Sequence, residues 1–290
     1  MEQAYSYYPG CSLHGTAEEY DISARLVCQS LGIELRELEG WVCCGASAAH
    51  STNRLLSLTL PAHTLQLANE KGLPLAVPCA MCFSRLKFTL HEIQNRETNE
   101  LIARALGSNL NSSVAVEPML KVLADEDLAI PVRTPLEGLK VACYYGCLLV
   151  RPGEVVEFDD PENPQSMDRL IERLGAEPVD WGLKTACCGA GVPFARPDVV
   201  FKLSHRLLSL ALKNGADCLA VACPMCHANL DMYQRDIRAR LGLERPVPVL
   251  YFTQIMGLAM GFSAKELLFN KHITNPLPML RKKKMLREEG

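Results

Sequence analysis

Residues 75–82 read LAVPCAMC, and residues 219–226 read LAVACPMC. Six of the eight positions are identical at an offset of 144 residues. The same offset carries Cys43-Cys44-Gly45-Ala46 onto Cys187-Cys188-Gly189-Ala190. A third block, Tyr7-Tyr8-Pro9-Gly10-Cys11, resembles Tyr144-Tyr145-Gly146-Cys147, with an offset of 136 for the cysteine. Three blocks matched in the same order point to a tandem duplication, with copies near 1–110 and 137–255 of a 290-residue chain. The period is far longer than a solenoid repeat, so each copy is expected to be a small domain. The expected division is 1–136, connecting helix included, and 137–290, C-terminal tail included.

Around these blocks, short apolar runs alternate with helical patterns. In the first copy strands are expected at 4–8, 33–38 and 73–77. A helix is expected over 16–31, with Thr16 and Glu19 as a capping box and Ile22, Leu26 and Leu31 on one face. A second helical region, broken or kinked near Pro61, should end at Gly72. The second copy repeats the order, with strands at 139–145, 177–181 and 218–222 and helices at 164–175 and 197–213. Between the copies, Met119, Leu120 and Leu123 suggest a connecting helix, followed by a turn at Pro131 and Pro135. Val247 to Phe262 reads as a strand and a core-packing helix. Strands alternating with helices predict an α/β fold, two tandem pseudo-symmetric units, each a small, mainly parallel sheet with flanking helices.

Composition narrows the function. Apolar residues make up 48% and charged residues 22%, which is ordinary for a globular protein. Thirty basic residues against 33 acidic ones give a formal charge of −3, which argues against nucleic acid as a partner. The N-terminal MEQAYSYYPGC has no basic and apolar leader pattern, and the longest apolar stretch is too short for a membrane span. A soluble, cytoplasmic protein without a membrane span is therefore expected. Neither a P-loop nor a G-x-G-x-x-G fingerprint is present, so no bound nucleotide is expected.

Cysteine is the unusual component, at 13 residues. Ten of them repeat as one pattern: Cys11, Cys43, Cys44, Cys79 and Cys82, then Cys147, Cys187, Cys188, Cys223 and Cys226. Thirty-four residues separate Cys44 from Cys79, and 34 separate Cys188 from Cys223. These positions fall where strands end or tight turns begin, the ligand-binding edge of an open α/β sheet. A thiolate at a helix start is favoured by the free N–H groups there. Side chains of adjacent cysteines diverge, which suits two irons better than one, and Gly45 and Gly189 permit the close loop. A four-thiolate zinc site leaves one cysteine over in each copy. A thioredoxin-like dithiol accounts only for C-x-x-C. An iron–sulfur cluster fits best, and five ligands then mean either one spare cysteine or an unusual cluster.

The duplicated pattern C-x(31–39)-C-C-G-x(33–34)-C-x-x-C resembles the CCG-domain family over about residues 4–255, and within it the B subunits of heterodisulfide reductases. The resemblance implies a noncubane [4Fe–4S] cluster on each set of five cysteines. It implies a small-molecule disulfide bound between the two clusters and cleaved reductively to two thiols. It also implies two partners from such a complex, the iron–sulfur C subunit with the flavin-bearing A subunit. Related proteins serve as iron–sulfur subunits of glycolate and lactate oxidases and thiol:fumarate reductases, so a non-catalytic electron-transfer subunit is the alternative. The ferredoxin motif C-x-x-C-x-x-C-x-x-x-C-P is absent here, so cubane clusters would come from a partner.

Other residues are weighed more simply. Cys28, Cys143 and Cys218 are expected to be packing residues. His14, His50 and His227 stand near cluster cysteines and are candidate proton donors, although a structural role is the default. Arg151, Lys184 and Arg196 are candidates for an anionic substrate, and Arg85 and Lys87 share that ambiguity. The basic tail from Arg281 reads as a chain end or a docking segment. From two four-iron clusters, the holoprotein should carry about eight irons per chain with matching acid-labile sulfide. Zinc without sulfide in anaerobically purified protein would contradict this.

Overall fold

The computed structural model describes residues 3–46, 48–108, 110, 113–193 and 195–286. In the first repeat the strands are β1 (Gln3–Tyr7), β2 (Ile33–Glu37), β3 (Leu75–Val77) and β4 (Val116–Pro118). Its helices are α1 (Gly10–His14), α2 (Glu18–Ser30), α3 (Ala49–Thr52), α4 (Arg54–Lys71), α5 (Ala80–Glu92), α6 (Arg96–Leu106) and α7 (Met119–Leu123). In the second the strands are β5 (Lys140–Tyr144), β6 (Glu177–Pro178), β7 (Cys218–Val221) and β8 (Val249–Tyr251). Its helices are α8 (Gly153–Val156), α9 (Ser166–Arg173), α10 (Pro197–Lys213), α11 (Pro224–Met232), α12 (Gln234–Leu241), α13 (Phe252–Met260) and α14 (Leu277–Lys282).

Each repeat forms a four-stranded parallel sheet, in the orders β2-β1-β3-β4 and β6-β5-β7-β8. The inner strands explain the parallel arrangement. Leu75, Ala76 and Val77 of β3 and all four residues of β7 are buried, so both sheet faces must be covered by helices. In this strand order the crossovers run in opposite directions from β1 and β3, and again from β5 and β7. The crevice for a ligand lies at the carboxyl ends of those strands.

Several local expectations are corrected. Thr16 does not cap: α1 occupies Gly10–His14, and α2 begins at Glu18 without a side-chain cap. Pro61 does not break α4, which runs through it from the Asn53 cap to Gly72 in the left-handed region. The proline forfeits one backbone bond, but buried Leu58, Ala62 and Leu65 hold the helix against the core. The connection between the repeats contains β4, too short and too mixed in character to stand out before α7. Strand β6 is only two residues long; Glu177 and Val179 donate to Leu139 and Val141 at 2.8 Å, and Pro178 between them, on the sheet edge, has no ladder bond to lose.

The two repeats share one hydrophobic core. Helix α2 of the first packs on α13 of the second. There the Tyr20 ring stacks on Tyr251, with centroids 4.2 Å apart and planes 11° off parallel. The Ser23 and Thr253 hydroxyls bond each other at 2.7 Å inside this interface, which satisfies both buried groups. The Tyr20 hydroxyl donates to the carbonyl of Pro78, just before Cys79. Tyr20→Ala should therefore lower stability by about 3–5 kcal/mol, as for other large-to-small core changes. The measurement is the urea midpoint of wild type and variant, and an unchanged midpoint would contradict the shared core.

Candidate metal centre

Strand ends and helix starts position the cysteines. In the first repeat Cys11 follows the end of β1, in α1, and Cys43 and Cys44 lie on the loop after β2. Cys79 is the N-cap of α5, and Cys82 lies in its first turn. In the second, Cys147 follows β5, Cys187 and Cys188 sit on the equivalent loop, and Cys223 caps α11 with Cys226 in its first turn. All ten are free thiols.

The sulfurs converge. Cys82 Sγ is 3.2 Å from Cys44 Sγ, Cys43 Sγ is 3.9 Å from Cys11 Sγ, and Cys188 Sγ is 3.4 Å from Cys226 Sγ. Cys147 and Cys187 hydrogen-bond in the same way. Two thiolates on one tetrahedral ion, at bonds of about 2.3 Å, stand about 3.7 Å apart. The spacing therefore fits thiolates gathered around metal. The two sets also meet: the Cys79 and Cys223 thiols interact across the boundary between the repeats.

Glycine makes the convergence possible. Gly10 and Gly146 both have positive φ, and a Cβ on either would lie 3.2 Å from the sulfur of Cys82 or Cys226. At Gly45, also at positive φ, a Cβ would come within 2.9 Å of Ala49 and Leu60. The backbone N–H groups of Gly45 and Gly189 point at the Cys43 and Cys187 sulfurs, at 3.5 and 3.3 Å. Hydrogen bonds from Cys43 and Cys82 hold the Cys44 thiol well below the usual thiol range, and a bond from Cys147 does the same for Cys187.

A pair of tyrosines escaped the sequence reading. The Tyr8 hydroxyl donates to the carbonyl of Val42, and the Tyr144 hydroxyl to that of Ala186, each just before a Cys-Cys pair. Each tyrosine stands three residues before the first cysteine of its set, a signal present in the sequence. The equivalence is thus Tyr8 with Tyr144, so Cys143 corresponds to Tyr7 rather than to a ligand position.

The remaining cysteines lie apart from the ten. Cys28, Cys143 and Cys218 are fully buried among apolar groups. Burial pushes the Cys28 thiol up to about 12 and the other two up as well, so they stay protonated. His14 is exposed and bonds Glu37 at 2.9 Å. His50 Nδ1 lies 2.9 Å from the guanidinium of Arg85. His227 is buried, pushed down to about 4 by desolvation, with Nε2 3.1 Å from the Val249 carbonyl. His227 bonds His272, which also bonds Gln254, and Asp231 accepts from the N–H groups of Ile273 and Thr274, so the segment after α13 is tied to α11.

The cations expected near a substrate are occupied elsewhere. Lys184 is buried against Asp168 at 2.8 Å, Arg151 pairs with Glu162 at 2.8 Å, and Arg196 pairs with Asp198 at 3.0 Å. A cavity of 310 Å³ opens on the first cysteine set. Met81 and the second repeat's Val192, Pro193 and Met225 also line it, and no charged side chain does among the described residues.

Comparison with known proteins agrees with this geometry. The profile of the CCG cysteine-rich domain matches twice, over residues 5–87 and 141–231, and the chain belongs to that family. It is 35% identical over 278 residues to the 8-methylmenaquinol:fumarate reductase membrane anchor subunit of Wolinella succinogenes, covering 94% of this chain and 98% of the relative. It is 29% identical over 289 residues to the B subunit of the ferredoxin/F420H2-dependent CoB-CoM heterodisulfide reductase from Methanosarcina acetivorans, covering 96% of each. A hypothetical protein from Helicobacter pylori shares the fold, with a TM-score of 0.77 at 15% identity. That match covers 95% of this chain and 52% of that one, so this chain spans about half its length. The first two relatives are named as subunits of reductase complexes. No helix among the described residues is long and apolar enough to cross a membrane.

Cys44→Ala and Cys188→Ala should each remove the metal of one set and leave the other largely formed, because each set lies within one repeat. Cys28→Ser and Cys218→Ser should keep iron near the wild-type level, at a stability cost of about 1–3 kcal/mol. Iron analysis with visible absorption checks both. Loss of iron in Cys28→Ser or Cys218→Ser without unfolding would contradict the assignment.

Proposed function

We propose that the chain binds two noncubane [4Fe–4S] clusters and passes electrons within a reductase complex, beside two partner proteins, one carrying flavin and the other further iron–sulfur clusters. Cys11, Cys43, Cys44, Cys79 and Cys82 hold one cluster, and Cys147, Cys187, Cys188, Cys223 and Cys226 the other. The observation that supports this most is the convergence of sulfurs within each set, Cys43 on Cys11 at 3.9 Å, Cys82 on Cys44 at 3.2 Å and Cys188 on Cys226 at 3.4 Å. When bound, the clusters supply one-electron storage. The chain's own residues do the rest. Tyr8 and Tyr144 hold the Cys-Cys loops, the glycines admit the backbone, and the apolar core keeps water from Cys79, Cys82, Cys223 and Cys226. The 35% likeness to a subunit of a fumarate reductase favours the electron-transfer role.

Reductive cleavage of a small disulfide is the second reading. It is favoured by the 29% likeness to the B subunit of a heterodisulfide reductase. One experiment separates the two. Chemically reduced holoprotein is mixed with a neutral disulfide in the absence of partner proteins, and thiols are counted in a single turnover. The electron-transfer role predicts thiol at background, with electrons still delivered to a soluble dye acceptor. Two thiols per disulfide, lost in both Cys44→Ala and Cys188→Ala, would replace it with disulfide reduction.

A further inference from the structure

The repeats carry different residues at one equivalent position beside the thiols. Three residues beyond Cys82 stands Arg85, and three beyond Cys226 stands Asn229. Asn229 is buried, and its Nδ2 donates to the Cys188 carbonyl at 3.1 Å while lying 3.8 Å from the Cys188 sulfur. It therefore offers the second site a neutral dipole. Arg85 is half-buried on α5 and reaches the matching loop of the first repeat. Its guanidinium lies 2.9 Å from Nδ1 of His50, whose backbone N–H bonds the Gly45 carbonyl at 3.0 Å.

No carboxylate bonds Arg85 among the described residues; its other neighbour is the Phe88 ring, 5.3 Å from the guanidinium carbon. Lys184, Arg151 and Arg196, the cations flanking the second loop, each have a carboxylate of their own. A cation partly withdrawn from water requires a countercharge. At Arg85 the countercharge would come from the first site: Cys82 stands three residues before it on α5, and His50 joins its guanidinium to the Cys44-Gly45 loop.

Resting on the two-cluster reading above, we propose that Arg85 makes the first site the electron-accepting end of the pair. Reduction adds one negative charge to a site, and a fixed positive charge beside it stabilises that form. The second site, with Asn229 in place of a cation, sits at lower potential. One electron supplied by the reductase complex leaves the second site, oxidising it by one unit, and reduces the first by one. No bond or proton need move.

The test is potentiometric titration of iron-loaded protein followed by electron paramagnetic resonance, with Cys188→Ala used to assign the signal of the first site. In Arg85→Asn the first site's midpoint should fall and approach the second's. The expected shift is at least tenfold in electron distribution between the sites, which is about 59 mV for one electron. Arg85→Lys, which keeps the charge, should restore most of the gap. Unchanged midpoints in Arg85→Asn with full iron would overturn the role of Arg85 alone. Absence of iron–sulfur signals from wild-type protein would instead overturn the two-cluster reading, and this inference with it.

Discussion

The arrangement depends on the meeting of two strand ends. Parallel strands β3 and β7 stop at Val77 and Val221, and each chain turns at once into a cysteine-capped helix. Because the repeats pack with α2 against α13, those two turns face each other, and the Cys79 and Cys223 thiols interact across the boundary. Buried thiols in contact with other thiols are poor packing residues. Their proximity has a physical reason only if something shared draws them together, and thiolate ligands of neighbouring metal centres supply that reason.

The supports of this meeting are symmetric, and its surroundings are not. Tyr8 and Tyr144 hold their loops by the same bond, and Gly10 and Gly146 clear the same space beside Cys82 and Cys226. Around that frame, Arg85 is exchanged for Asn229 and Phe83 for His227. Duplication preserved what builds each site and released what tunes it. An electron carrier with two identical centres has no preferred direction; one with a single charge difference does.

Much of this was legible in the sequence because it recurs. Spacing alone identified ten cysteines as one pattern, and alternating apolar runs identified parallel α/β units, since buried strands such as β3 and β7 contain nothing but small and apolar residues. What escaped depends on tertiary context. Pro61 stays within α4 because buried neighbours hold the helix on the core. Thr16 fails to cap because a separate turn, Gly10–His14, precedes α2. Lys184 and Arg151 were legible as charges, but their carboxylates, Asp168 and Glu162, lie 16 and 11 residues away and could be matched to them only in three dimensions. Tyr8 and Tyr144 carried a usable signal at fixed distance from a cysteine, and aligning them by their shared Tyr-Tyr dipeptide hid it.

The most direct measurement is an anaerobic crystal structure of the iron-loaded protein, with iron located by its anomalous scattering. The account predicts two separate groups of iron, one on the five cysteines of each repeat, close to each other beside Cys79 and Cys223. Iron in one repeat only, or a single ion held by four of the thiols in each, would contradict it.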